Sequence, residues 1–206
     1  MNNRERIDRL EKEGTISREE FSILIYSFTE GDRAYAAEKA RNASLSNYGN
    51  KVYFRGLIEI SNYCKNDCYY CGIRNGNQRA VRYRLSPEDI LGCCDYGYGV
   101  GFRTFVMQGG EDAWFTDERM TEIIREIKGR YPDCAVTLSL GERGRESFQK
   151  LFDAGADRYL LRHETACRQH YEKLHPSSLS FENRMQCLRD LKEIGYQVGC
   201  GMMVGS

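Results

Sequence analysis

"VYFRGLIEISNYCKNDCYYCGIR", residues 52–74, runs a short apolar stretch directly into three cysteines. The first ten residues read as a strand, and Cys64, Cys68 and Cys71 follow at the spacing C-x3-C-x2-C. Four more short apolar runs come later: "RTFVMQ" (103–108), "AVTLSL" (135–140), "DRYLLRHE" (157–164) and "QVGCGMMV" (197–204). Amphipathic segments with helix signals lie between them. Ser86 is placed as an N-cap with Pro87 at the first helical position. In 115–130 the residues Met120, Ile123, Ile124 and Ile127 recur on one helical face. The segments 146–155 and 180–195 end at Gly155 and Gly195, where C-capping glycines belong. Strand, helix, strand, repeated four times, predicts an α/β chain with a parallel sheet built from right-handed crossovers. Five strands are legible, where a TIM-type barrel needs eight.

Upstream of this pattern, residues 1–50 read as a helical extension and 51–206 as the core domain. "SREE", Ser17 to Glu20, is a capping box opening the apolar run "FSILIYSF", and a further helix is expected over Arg33–Ser44. Lys plus Arg number 30 and Asp plus Glu number 30, so no charge excess points to nucleic acid or an acidic membrane. No stretch reaches the ~20 apolar residues of a membrane-spanning helix. The opening "MNNRERIDRLEKEG" lacks the apolar centre of a signal peptide, and a cytoplasmic location is expected. Nine cysteines, an odd number, favour reduced thiols and metal ligation over a disulfide framework.

Cys64, Cys68 and Cys71 follow the first strand, and parallel α/β sheets bind ligands at the C-terminal ends of their strands. Three close thiolates suit zinc, an iron–sulfur cluster, or no metal at all. Structural zinc takes four ligands, commonly as two pairs, and no second C-x2-C occurs here. A lone triad suits three irons of a [4Fe–4S] cluster, with the fourth iron open to a small molecule.

C-x3-C-x2-C with Tyr70 before the last cysteine resembles the signature of the radical S-adenosylmethionine (SAM) superfamily. "NYCKNDCYYCGIR", "MQGGED", "TLSLGE", "RYLLRHETA", "SFENRMQCL" and "GYQVGCGMMVG" resemble, in order, the HydE-type [FeFe]-hydrogenase maturases within it. The resemblance implies a (β/α) TIM-type barrel, of which about five of eight units are present. It further implies a [4Fe–4S] cluster on Cys64, Cys68 and Cys71, and reductive cleavage of SAM to a 5′-deoxyadenosyl radical. By the same resemblance Tyr70 lies near the adenine, and Gly109, Gly110 and Glu111 hold the SAM amino group. Arg162 and Glu164 form a SAM-binding pair, and Arg184 meets the carboxylate or ribose region.

The residues themselves leave room for other readings. Arg162 and Glu164 share a face if the strand runs through them, and such a pair also suits a structural ion pair. "QGGED" alone is a glycine turn, and Arg184 alone would be a surface arginine. Gln108, Thr137 and Ser139 are expected to face a polar lumen near the substrate, although hydroxyls bonded to neighbouring backbone would explain Thr137 and Ser139 as well. Cys93, Cys94, Cys134, Cys167, Cys187 and Cys200 have no ligand spacing and are expected to be mostly core thiols. His163 is placed away from the site.

The maturase resemblance also implies an organometallic or small-molecule substrate, other hydrogenase maturases as partners, and a low-potential electron donor such as ferredoxin or flavodoxin. Two rivals stand beside it: another enzyme of this branch, methylornithine synthase or biotin synthase, or a non-catalytic iron–sulfur or zinc-binding fragment. Residues 197–204 are expected as an unprotected sheet edge. An incomplete chain is the expected reason, with poor stability and little native activity if the 206 residues stand alone.

Overall fold

The computed structural model describes residues 1–206 and divides them into two units, Met1–Tyr53 and Phe54–Ser206. The first unit contains α1 (Asn3–Glu13), α2 (Arg18–Tyr26) and α3 (Glu30–Tyr48). Each starts with a reciprocal capping box, through Asn2 and Glu5, Ser17 and Glu20, and Thr29 and Asp32. These pairs satisfy amide donors that the first helical turn leaves unpaired. The third helix starts earlier and ends later than the expected Arg33–Ser44, because the Thr29–Asp32 box opens it one turn upstream.

In the second unit β1 (Gly56–Ser61), β2 (Thr104–Gly109), β3 (Ala135–Ser139), β4 (Arg158–Leu160) and β5 (Gln197–Gly199) form one sheet. All neighbours are parallel and their spatial order equals their chain order. This is the winding of a TIM-type barrel, seen here over five strands. The crossovers carry α4 (Pro87–Gly99), α5 (Asp117–Arg130), α6 (Arg145–Asp153), and the pair α7 (Arg168–Leu174) and α8 (Phe181–Ile194).

Strand alternation divides the sheet into two faces. Ile58, Ile60, Phe105, Met107, Val136, Leu138 and Tyr159 are fully or nearly fully buried and form one core with Ile90, Met120, Ile124, Ile127, Phe148 and Leu191. The intervening residues, among them Leu57, Glu59, Val106, Gln108 and Ser139, point to the other, more open face. The candidate residues Gln108 and Ser139 therefore sit on the face that the helices do not cover.

Several elements differ from expectation. The first strand begins at Gly56, and the fifth spans three residues of the predicted 197–204. Helix α7 has no apolar period to announce it. The fourth strand ends at Leu160, before Arg162 and Glu164. Glu164 has φ +62°, and Thr165 N–H donates to His163 C=O at 2.7 Å, so the backbone turns sharply there. A strand cannot continue through a left-handed residue. The shared-face argument for Arg162 and Glu164 therefore does not hold, and a turn places them instead.

Candidate active site

The segment between β1 and α4, residues 62–86, carries the three cysteines over the C-terminal ends of the strands. It has almost no regular structure, so its shape depends on side-chain bonds. The Arg82 guanidinium donates to the carbonyls of Ile73 and Arg74, both at 2.8 Å, and also to that of Asn62. Asp112 anchors the base of the loop. It accepts from Ser61 Oγ at 2.6 Å and from Arg84 Nε and Nη2 at 2.6 and 2.9 Å. Arg84 in turn lies over the Tyr63 ring at 3.8 Å. Burial acts to raise the Asp112 pKa, but the bonds from Arg84, Ser61 and the Trp114 amide outweigh it and hold the group below its ordinary value.

One pocket receives Cys64, Cys68 and Cys71 together with Tyr70, Gly109, Gly110 and Glu111. Gln108, Ser139, Arg162, Glu164 and Arg184 line it as well. Thr137 is not brought to it. That residue, 6% exposed, lies in a separate hollow with Val106, Arg158 and Gly199. Two residues along β3 from Ser139 amount to about 7 Å of rise, which puts its hydroxyl a layer deeper in the lumen.

Backbone contacts at the end of β2 bring the glycine turn against the cysteine loop. A Cβ on Gly110 would lie 2.2 Å from Tyr63 O and 2.6 Å from Cys64 Cβ. The Glu111 amide donates to Cys64 Sγ at 3.3 Å. The Glu111 carboxylate is buried, and its Oε1 accepts from the Glu142 amide at 2.8 Å. Its Oε2 lies 3.1 Å from Lys65 Nζ, out of hydrogen-bonding alignment, and is left without a bonded partner. Gly141, at φ +75°, passes directly beside this carboxylate, where a Cβ would lie 2.1 Å from Glu111 Cγ.

Arg184 is 8% exposed, so it is no surface arginine. Its Nε donates to Glu142 Oε1 at 2.6 Å and its Nη1 to Arg162 C=O at 2.7 Å. Arg162 and Glu164 approach only to 3.9 Å, and Arg162 is largely exposed, so this pair is loose. Glu142, Gly141 and Asp112 escaped the sequence reading, although the strand-end motifs "TLSLGE" and "MQGGED" contain them. His175, 2% exposed, also escaped it: its Nε2 is 3.2 Å from Tyr70 Oη. Burial lowers the His175 pKa against a partly opposing bond to Tyr171 C=O, so the ring is neutral near pH 7. Of the six remaining cysteines, Cys94, Cys134 and Cys187 are buried, but Cys93, Cys167 and Cys200 are exposed.

The donor set decides which metal group fits. No three His, Cys, Asp or Glu side chains converge closely enough to hold one ion. A single tetrahedral zinc, with Zn–S bonds of ~2.3 Å, would need sulfurs only about 3.8 Å apart. An iron–sulfur cluster places each thiolate on its own iron, so three cysteines lining one pocket suit it. Burial, with Cys64 and Cys71 adding to it, pushes the Cys68 thiol up to about 11. A cationic iron centre is what would deprotonate it. The residues fit a cluster held by three thiolates, beside a buried carboxylate whose Oε2 faces the Lys65 ammonium.

The model of the radical SAM superfamily matches residues 58–206. The [FeFe] hydrogenase maturase subunit HydE of Thermotoga maritima is 43% identical over 201 residues, covering 98% of this chain and 56% of the relative. The 3-methylornithine synthase of Methanosarcina acetivorans is 33% identical, over 83% of this chain and 48% of the relative. Among solved structures, methylornithine synthase aligns with a TM-score of 0.84 and 26% identity, over 97% of this chain and 59% of that one. The [FeFe]-hydrogenase maturase HydG aligns with a TM-score of 0.85 and 25% identity, over 98% and 47%. The chain spans about half the length of the curated relatives it matches.

Proposed function

This chain belongs to the radical SAM superfamily, and on that premise we propose that it binds S-adenosylmethionine beside a [4Fe–4S] cluster held by Cys64, Cys68 and Cys71, as part of a HydE-type hydrogenase maturase. The observation that carries the proposal is the pocket itself: three thiols, the buried Glu111 carboxylate and the buried Arg184 meet in one cavity at the strand ends. When bound, the cluster supplies the electron with which this family cleaves SAM reductively.

The side chains divide the remaining work. The Glu111 carboxylate accepts from an ammonium group, with Oε1 already fixed by the Glu142 amide. Gly109 and Gly110 let the turn close against β1 and the cysteine loop, where a Cβ would strike Ser61 O or Tyr63 O, so that their backbone lines the ligand's approach. Arg184 is clamped by Glu142 and presents its positive charge to the ligand carboxylate. Tyr70 forms a wall for the nucleoside. Gln108 and Ser139 face the substrate, and Thr137 forms the layer beneath them. The higher identity to HydE than to methylornithine synthase, 43% against 33%, favours a maturase substrate, an organometallic iron species, over an amino acid. Other maturases and a ferredoxin- or flavodoxin-type donor are the partners this reading brings with it. No helix is long and apolar enough to cross a membrane.

Anaerobic reconstitution with iron and sulfide, followed by dithionite and SAM, tests the proposal. Wild type is expected to release 5′-deoxyadenosine, and a Cys64/Cys68/Cys71→Ala triple variant to release none. Protein that takes up zinc in place of iron and sulfide would refute it.

A further inference from the structure

We infer that His175 is a positioning residue that fixes Tyr70 as the wall of the SAM pocket; the inference rests on the functional reading above. Tyr70 sits between two cluster ligands on a segment without regular structure, so something outside that segment must set its ring. Helix α7 supplies it. Leu174 C=O accepts from the Tyr69 amide at 3.0 Å, and one residue later His175 Nε2 meets Tyr70 Oη at 3.2 Å. A backbone bond and a side-chain bond thus dock the same dipeptide onto the end of one helix.

The imidazole is held more firmly than the tyrosine it contacts. Nδ1 lies 2.9 Å from Tyr171 C=O. A carbonyl can only accept, so Nδ1 carries the proton, and in the neutral ring Nε2 is an acceptor. The Tyr70 hydroxyl therefore donates. The His175 ring stacks on Tyr171, with centroids 3.9 Å apart and planes 21° apart, and Tyr171 is fully buried. Tyr70 meets His175 edge to face at 5.4 Å and 87°. A buried, stacked and tautomer-fixed acceptor restrains the Tyr70 ring from one side, although 42% of that residue remains exposed. His175 lines no part of the pocket itself, so it acts through Tyr70.

The test is the SAM dissociation constant of the cluster-loaded protein, measured by equilibrium dialysis alongside iron and sulfide content. His175→Phe keeps a ring on Tyr171 and removes the acceptor. It is expected to hold the cluster and to bind SAM roughly 3- to 10-fold more weakly, the range of one neutral hydrogen bond. Tyr70→Phe should weaken binding to the same extent, and the double variant no further, because both remove one interaction. His175→Gln, which can return an acceptor near the Nε2 position, should recover most of the affinity. A Tyr70→Phe protein that binds as tightly as wild type overturns the inference, whatever His175→Phe does. So do losses that multiply in the double variant. Wild type that carries the cluster yet binds no SAM overturns the functional reading, and the inference with it; wild-type binding untouched by any of these changes overturns the inference alone.

Discussion

At Gly110 the glycine turn and the cysteine loop come so close that a methyl group would sit 2.2 Å from the Tyr63 carbonyl oxygen and 2.6 Å from Cys64 Cβ. The first contact is backbone and the second is the stem of a proposed ligand, so neither can yield cheaply. Gly110→Ala is expected to destabilise the protein by about 1–3 kcal/mol through overpacking and to lower iron uptake. Gly72, in the same loop and directly after Cys71, has open space where its Cβ would be. Gly72→Ala should stay within about 0.5 kcal/mol of wild type and load iron normally. Urea midpoints and iron per chain measure both. Equal iron uptake by the two variants would show that the Gly110 contact does not shape the ligand loop.

Among the elements, β1, the end of β2 and the segment entering α4 are joined through one carboxylate. Asp112 receives Ser61 from β1 and Arg84 from the loop, and its folded pKa lies below the ordinary carboxylate value. A depressed acid contributes stability above its unfolded pKa and loses it as pH falls through the folded one. Wild type should therefore be more stable than Asp112→Asn near neutrality, with the two urea midpoints converging below about pH 4. Midpoints that stay equally far apart at every pH would mean that the ion pair is not the source. The capped helices were legible because Ser17, Ser86 and Ser180 stand directly before their apolar periods. Helix α7 was not legible: seven residues, preceded by Cys167 as an N-cap that makes no side-chain bond, carry too little local signal.

Over the whole second unit, one face of the sheet is buried beneath helices and the other faces the pocket. Leu138 is fully buried on the helix side, whereas Leu57 is 56% exposed on the opposite face. Leu138→Ala should cost about 2–5 kcal/mol. Leu57→Ser should change stability by no more than about 0.5 kcal/mol. Comparable losses at both positions would mean that the open face is packed in solution.

The sequence by itself determined the strand–helix alternation, the helix starts and the cysteine triad, because these depend on local period, capping and spacing. It also determined the family, through motifs that occur in order along the chain. Tertiary structure alone decided what those residues do together. Glu142 clamps Arg184, Asp112 anchors the loop and His175 sets Tyr70 across separations of 42, 28 and 105 residues, which no local period encodes. It also ended β4 at Leu160, where the turn at Glu164 replaces strand alternation as the cause of the Arg162–Glu164 placement. And it set Thr137 a layer below Ser139, since the face a side chain shares can be read from alternation, but its depth in the lumen depends on where each strand meets its neighbours.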